Sequence, residues 1–174
     1  MTFRLKKFLI VGILALAVRP AFSLDTVPYV DLNQYLGAWY EIASYPMFFQ
    51  RGCVATKATY SQRADGNIAV LNECRKDSFD GPLKKAEGIA RVVDNKTNSK
   101  LEVKFFLFWG NYWIIDLDEE YRFAVVSEPR QKYLWILSRT PIMKEDIYQG
   151  ILTRLKEKGF DLTRLKMTPQ PLPG

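Results

Sequence analysis

Few residues of this chain could do chemistry. The 174 residues include no histidine and only two cysteines, Cys53 and Cys74. The lack of histidine removes the commonest general base and metal ligand, so Ser-His and Cys-His nucleophile pairs, His-bearing zinc sites and a haem with a proximal histidine are excluded. The ten glycines are scattered and form no phosphate-binding loop. We therefore expect no catalysis, no metal and no other cofactor.

The acidic segment Asp116–Glu120 invites a metal or paired-carboxylate interpretation. It lies between two predicted strands, where a charged turn is the ordinary occupant. We therefore interpret it as a turn.

The two cysteines are predicted to lie on neighbouring strands. If residues 63–66 form a hairpin turn, Gln62 faces Asn67, and Cys53 then faces position 76. Cys74 is two positions out of that register, and a β-bulge would bring it opposite Cys53. Cysteines in an oxidising compartment tend to pair, so we predict a Cys53–Cys74 disulfide.

The N-terminal segment has the pattern of a secretory signal peptide. A basic start is followed by the apolar stretch Phe8–Val18 and by a small-x-small cleavage site ending at Ser23. That apolar stretch is shorter than the ~20 residues needed to span a bilayer. We predict a signal peptide over residues 1–23 and an exported domain over residues 24–174. Loss of the leader lowers the formal charge from +6 to near +2, which argues against a nucleic-acid partner.

The elements that position these residues are mainly β-strands. A short helical turn over residues 31–34, ended by Gly37, precedes the strands, and an amphipathic helix with Ile147 and Ile151 on its apolar face follows them. The tail, residues 162–167, could add one more strand. Alternating patterns and turn signals predict eight main strands, at 39–44, 53–62, 67–75, 86–94, 101–108, 112–117, 121–127 and 132–139.

Eight antiparallel strands favour a closed barrel whose interior can hold one small ligand. Trp39, at the start of the first strand, would fill its floor, and Arg139, at the end of the last, could lie over the indole face. Such a cation–π contact is worth about 0.5–2 kcal/mol. The alternative is an ordinary core tryptophan and a surface arginine, and the pattern alone favours neither.

Together, Gly37-x-Trp39 after a helical turn, eight strands, and Arg139 ahead of a helix resemble the lipocalin family. The resemblance is closest to its bacterial outer-membrane and apolipoprotein D-like branch. It extends over nearly the whole chain after the leader, in the segments YLGAWYEIASYP (35–46), RGCVATKATYS (51–61), DGNIAVLNECR (65–75), KLEVKFF (100–106), YWIIDLD (112–118), YRFAVVSEP (121–129) and YLWILSRTP (133–141).

This resemblance implies an all-β fold: an eight-stranded antiparallel up-and-down barrel with one C-terminal helix packed outside. It also implies binding, storage or transport of a fatty acid or lysophospholipid in the bacterial cell envelope. Many bacterial relatives carry a cysteine directly after the leader, whereas Leu24 stands there in this chain. We therefore expect a periplasmic or secreted protein, monomeric or homodimeric, or one associated with the outer membrane without a lipid anchor.

The alternation of side chains along strands, together with the family pattern at Tyr112 and Ile114, predicts which residues line the cup. Tyr60, Asn72 and Tyr112 would supply polar groups near its mouth, and Leu107 would also point inward. The alternative is a barrel filled solidly by these side chains. The predicted ligand-binding residues are Tyr60, Val70, Asn72, Val103, Phe105, Tyr112, Ile114, Trp135 and Leu137, above a floor of Gly37, Trp39 and Arg139.

Two loops collect apolar side chains, at residues 46–49 and 106–110. They could be buried anchors, a lid, or a surface for transient contact with a membrane. Two rival functions stay open. One is an enzyme on the same barrel, such as an isomerase of a lipophilic substrate using carboxylates, Tyr or Lys; the other is a structural envelope protein with a filled barrel.

Overall fold

The computed structural model describes residues 24–172, so the predicted leader, residues 1–23, lies outside the described residues. Eight antiparallel strands follow one another around the barrel, and β1 closes it by pairing with both β8 and β2. The predicted eight-stranded up-and-down barrel is therefore confirmed. The strands are β1 (Gly37–Ser44), β2 (Cys53–Gln62), β3 (Ile68–Lys76), β4 (Leu83–Val92), β5 (Lys100–Phe105), β6 (Phe108–Leu117), β7 (Phe123–Ser127) and β8 (Leu134–Ser138).

In the described part of the chain, two α-helices flank the barrel. Helix α1 (Leu32–Tyr35) begins at Asp31, whose side chain accepts a hydrogen bond from the Asn33 amide, and it leads into β1. Helix α2 (Glu145–Glu157) follows β8 and packs outside the wall through the fully buried Ile151 and Leu155. Among residues 24–172, no helix is long and apolar enough to cross a membrane.

The wall separates two hydrophobic cores. One lies inside the barrel around Trp39, and the other lies between the wall and α2. Strand β8 serves both, because Leu137 points inward whereas Ile136 packs against the helix side. This alternation agrees with the predicted facing of β8.

Several predicted strand bounds are wrong, including the start of β4, which lies three residues earlier than predicted. Strand β5 ends at Phe105 because Phe106 has a positive φ of 58° and turns the chain; β6 then begins at Phe108, four residues before the predicted start. Leu107, expected inside the barrel, lies at this turn and is 80% exposed. In the tail, residues 162–164 form a 3-10 turn rather than a strand, and only β9 (Lys166–Met167) pairs with β1.

The predicted disulfide is confirmed. The predicted hairpin register is wrong by one position, because Gln62 pairs with Ile68 rather than with Asn67. A bulge compensates, so that Cys53 pairs with Lys76, and Cys74 is not brought directly opposite Cys53. This register shift lies between Val54 and Lys57, where Ala55 has a positive φ of 50°. Cys53 and Cys74 are bonded, with their Cα atoms 5.5 Å apart.

Candidate functional site

Trp39 closes one end of the barrel. Its side chain is fully buried, and its indole Nε1 donates to the Tyr35 carbonyl at 2.8 Å. The guanidinium carbon of Arg139 lies 3.7 Å from the centre of the indole ring. The first and last strands of the barrel therefore meet through a cation–π contact at the floor.

Arg139 also joins three segments by hydrogen bonds. Its guanidinium donates to the carbonyls of Ala38 at 2.9 Å, Tyr121 at 3.3 Å and Gln34. Gly37 makes room for it: the backbone there has φ +93°, and a Cβ would stand 3.4 Å from Arg139 Nη1. A residue with a side chain would therefore strain the backbone and crowd the cation.

Three tyrosine hydroxyls form a chain above this floor. Tyr112 OH lies 2.7 Å from Tyr35 OH and 2.9 Å from Tyr60 OH. The Tyr35 ring packs 5.1 Å from the Trp39 ring, which places the trio in the closed half of the barrel. Tyr60 and Tyr112, predicted near the mouth, therefore lie well below it. Tyr60 pairs with Gly37 at the closed start of β1, and alternation shows which face a residue is on but not its height in the barrel.

Burial keeps these hydroxyls neutral. It raises the pKa of Tyr60 to about 12, against the weaker opposing effect of its hydrogen bond with Tyr112. Burial likewise holds the pKa of Tyr35 and of Tyr112 well above the ordinary tyrosine value. Two hydrogen bonds among three hydroxyls use two of their three protons, so the trio keeps one proton to donate. It can orient a polar group but cannot act as a base at neutral pH.

The predicted lining residues face the interior in two layers. In the closed half, Tyr60, Val70, Ile114 and Leu137 are buried and packed. Above them, the inward-facing side chains are only half-buried, so this part of the interior is open. These residues are Asn72, Val103, Phe105 and Trp135, whereas Tyr112, also half-buried, lies below them in the tyrosine trio.

Sequence reasoning missed several interior residues, among them Tyr35 and Glu41. Tyr35 lies on α1, where strand alternation gives no signal. Glu41 lies two residues after Trp39 on β1, a spacing that could have placed it on the inner face. Glu41 is 5% exposed, and its carboxylate accepts hydrogen bonds from Ser44, Gln50 and Thr168.

The acidic segment Asp116–Glu120 leads into a turn at the closed end of the barrel. Asp118 accepts the backbone amides of Glu120 and Arg122 at 3.1 Å and the Arg122 guanidinium at 2.8 Å. Tyr121 OH accepts the Asp31 amide at 2.7 Å, which ties this turn to the start of α1. Asp116 bonds Arg154 of α2 at 2.7 Å. These acids hold the turn and the helix in place.

The family model described as "Lipocalin-like domain" matches residues 30–170 of this chain. The chain is 43% identical over 145 residues to the outer membrane lipoprotein Blc of Vibrio cholerae, with 82% of this chain and 84% of the relative covered. It is 38% identical over 158 residues to temperature-induced lipocalin-1 of Arabidopsis thaliana, covering 85% and 83%. It is 30% identical over 174 residues to apolipoprotein D of Bos taurus, covering 91% and 90%. With its closed barrel, its Trp39–Arg139 floor and these relatives, the chain belongs to the lipocalin family.

Proposed function

We propose that this lipocalin binds, stores or transports a fatty acid or lysophospholipid in the open half of its barrel. The observation that carries the proposal is the change in packing along the interior. The closed half is filled, whereas Asn72, Val103, Phe105 and Trp135 above it are only half-buried. Such a cup, apolar with a few polar groups, is the usual form of a site for a hydrophobic small molecule.

The charges favour a ligand that enters chain first. Among the described inward-facing positions above Trp39, the lysines are Lys76 and Lys84, and both lie at the open end of their strands. An ionised carboxylate or phosphate at the floor would therefore lose its water without gaining a cation. The headgroup of the proposed ligand stays at the mouth, where basic residues are plentiful, and the acyl chain extends toward the tyrosine trio.

A matched pair of variants on β3 tests the site. Asn72 faces inward and Leu71, its neighbour, faces outward. Asn72→Trp fills the cup, so the affinity of this variant for a fluorescent fatty acid should fall at least about tenfold, while the affinity of Leu71→Trp should stay within about twofold of the unmodified protein.

Native mass spectrometry of protein from its own source, followed by solvent extraction, identifies the resident lipid. A protein without lipid that also takes up no fatty acid would favour the filled, structural barrel.

We propose that the protein is a binder without catalysis. The tyrosines inside the cup stay protonated at neutral pH because burial raises their pKa values, so no phenolate is available as a base. A binder predicts graded losses of affinity when interior residues are substituted. Turnover of a bound lipid that disappears on replacement of one interior Tyr or Glu would instead indicate the isomerase-like alternative.

We also propose transient contact between the open rim and a membrane. All four loops at this end expose apolar side chains, with Phe48 84% and Phe106 90% accessible. The loops, taken with two residues on each side, carry seven basic and three acidic residues, which suits an anionic surface. The charged residues are Arg51, Arg75, Lys76, Lys84, Lys104, Arg130 and Lys132, against Asp77, Asp80 and Glu128.

Vesicle co-sedimentation checks this contact. Replacing Phe48 and Phe49 by serine should weaken binding to anionic vesicles at least about fivefold, since each buried aromatic contributes a kcal/mol or more. Val93 and Ile142, exposed at the opposite end, supply the matched serine control, which should bind like the unmodified protein. Equal binding by both double variants would rule out the rim as the contact surface.

We propose that the protein is exported to the cell envelope of a bacterium and works in the periplasm, at the outer membrane or outside the cell. The disulfide fits an oxidising compartment. The Vibrio cholerae relative is named an outer membrane lipoprotein. Cell fractionation and N-terminal sequencing test the proposal, with Leu24 expected as the first residue of the mature chain. A cytosolic protein that keeps residues 1–23 would contradict it.

A further inference from the structure

The barrel wall has a gap between β1 and β2. These strands pair directly at four positions only, from Gly37 with Tyr60 to Tyr40 with Lys57. Toward the open end, β1 continues to Ser44 and β2 begins at Cys53, but the described residues show no ladder between these parts. The two strands therefore form a seam that something else must close.

The C-terminal segment Lys166–Gln170, which we call the strap, closes that seam. On the β1 side, Met167 pairs with Ala43, and the Thr168 amide donates to the Ile42 carbonyl at 2.9 Å. On the β2 side, the Ala55 amide donates to the Pro169 carbonyl at 2.8 Å. The strap thus contacts both strands.

Gln170 occupies the place of the next ladder rung. Its Nε2 donates to the carbonyls of Glu41 and Thr56, at 2.8 Å each. These two residues directly follow the last paired position, so one side-chain amide replaces a backbone rung. The wall here depends on a side chain that can rotate away.

The closed seam leaves several polar groups unsatisfied. Among the described residues, three buried side-chain atoms have no hydrogen-bond partner, and all three belong to this contact: Gln50 Oε1, Thr56 Oγ1 and Gln170 Oε1. Each buried unsatisfied group costs free energy that water would restore. The buried Glu41 carboxylate accepts three hydrogen bonds here, and no lysine or arginine of the described chain forms an ion pair with it. Opening would hydrate all of these groups, so it costs less than opening a fully paired ladder.

We propose that the strap is a side gate, and that lipid passes into the cup between β1 and β2 when the strap leaves. This inference rests on the proposed lipid-binding function. The polar groups of Glu41 and Thr56 would face the headgroup while the acyl chain moves inward. The gate also adjoins the proposed membrane contact, because Gln50, next to Phe49, bonds the Glu41 carboxylate at 2.8 Å. A lipid could then transfer from a membrane without clearing the rim.

Truncation tests the gate in the full-length mature protein. Ending the chain after Leu165 removes the strap, whereas ending it after Gln170 keeps every strap contact and serves as the matched control. Stopped-flow exchange of a fluorescent fatty acid should speed up at least about tenfold in both association and dissociation without the strap, with Kd changed less than about threefold. Gln170→Ala should give an intermediate acceleration. Near-UV circular dichroism confirms that each variant is folded.

A locked variant gives the opposite test. Ala43 and Met167 form a narrow, non-hydrogen-bonded pair, as the Thr168-to-Ile42 bond beside it indicates, so their Cα atoms are close enough for a disulfide. The double variant Ala43→Cys/Met167→Cys should slow exchange at least about tenfold when oxidised and recover on reduction. Reducing the unmodified protein in parallel controls for Cys53–Cys74.

The outcomes separate the two proposals. Unchanged exchange in both the strapless and the locked proteins, with lipid still bound, would overturn the gate and leave the binding function intact. An unmodified protein that binds no fatty acid or lysophospholipid would overturn the proposed function, and the gate with it.

Discussion

At the closed end of the barrel, hydrogen bonds tie the ends of several strands to other segments. Arg139 bonds three carbonyls and covers Trp39, Asp118 organises its turn, and Tyr121 holds the start of α1. The open end is arranged differently. Its loops carry Phe48 and Phe106 in solvent, and its β1–β2 seam depends on the strap.

This difference separates stability from exchange. Hydrogen bonds and packing concentrated at one end let the barrel keep its shape while the other end stays adaptable. A binding protein needs both, because its ligand must enter a cup that does not unfold. Matched substitutions at the two ends should therefore have unequal effects on the free energy of unfolding.

The largest contrast should come from two tryptophans. Trp39→Ala removes a fully buried side chain at the floor and should lower the free energy of unfolding by about 3–5 kcal/mol. Trp109→Ala at the open end removes a residue that is 40% exposed and lies against Arg91 and Lys104, and it should cost only about 1–2 kcal/mol. Urea unfolding followed by circular dichroism measures both. Equal losses would remove the distinction between the ends.

The tyrosine trio should make the closed end sensitive to alkali. Burial raises the pKa of Tyr60 from 10 to about 12, so the folded protein keeps a proton that the unfolded chain loses between these values. The stabilisation that this proton gives to the folded state is fully present below pH 10 and is lost as the pH rises through 12. The free energy of unfolding falls by about 2–3 kcal/mol over that range. Tyr60→Phe lacks this titration, so its stability should fall less over the same range. Urea unfolding at pH 9 to 12 tests this; parallel curves for the two proteins would contradict it.

Substituting one arginine at each end should give a smaller difference in the free energy of unfolding. Arg139→Lys keeps the charge but cannot bond three carbonyls in one plane, so it should cost about 1–2 kcal/mol. Arg130→Lys, on an exposed loop at the open end, should change the free energy by less than about 0.5 kcal/mol. Urea unfolding at neutral pH compares them, and an equal cost at both sites would show that Arg139 acts only as a charge.

The closed end was more predictable from the sequence than the open end, because its signals are short-range patterns in the chain. The spacing from Gly37 to Trp39 and the position of Arg139 at the end of a strand are visible in the chain, and alternation identifies inward faces. The tail was predicted only as one possible extra strand over residues 162–167, and nothing indicated that the strap would bridge β1 and β2. Its contacts join Gln170 to strands more than 100 residues earlier, and no periodicity encodes such a pairing.

The turn at Phe106 was missed for a different reason, and it provides the smallest test. The run from Phe105 to Trp109 is apolar throughout and favours a continuous strand, yet Phe106 adopts φ 58°, which costs a residue with a side chain about 1–2 kcal/mol. Glycine avoids that cost but adds about 0.5–1 kcal/mol of chain entropy. Phe106→Gly should therefore stabilise the fold by about 0.5 kcal/mol while weakening vesicle binding.

Leu107→Gly is the matched control at the same turn. Leu107 has no positive φ to relieve, so glycine there should cost about 0.5–1 kcal/mol. Chemical unfolding and vesicle co-sedimentation of both variants give the comparison. If Phe106→Gly raises the free energy of unfolding while Leu107→Gly lowers it, and Phe106→Gly also binds vesicles more weakly, then Phe106 is strained in the fold and contributes to membrane contact. A loss of stability in both variants would show that the turn is not strained, and the exposure of Phe106 would then need another cause.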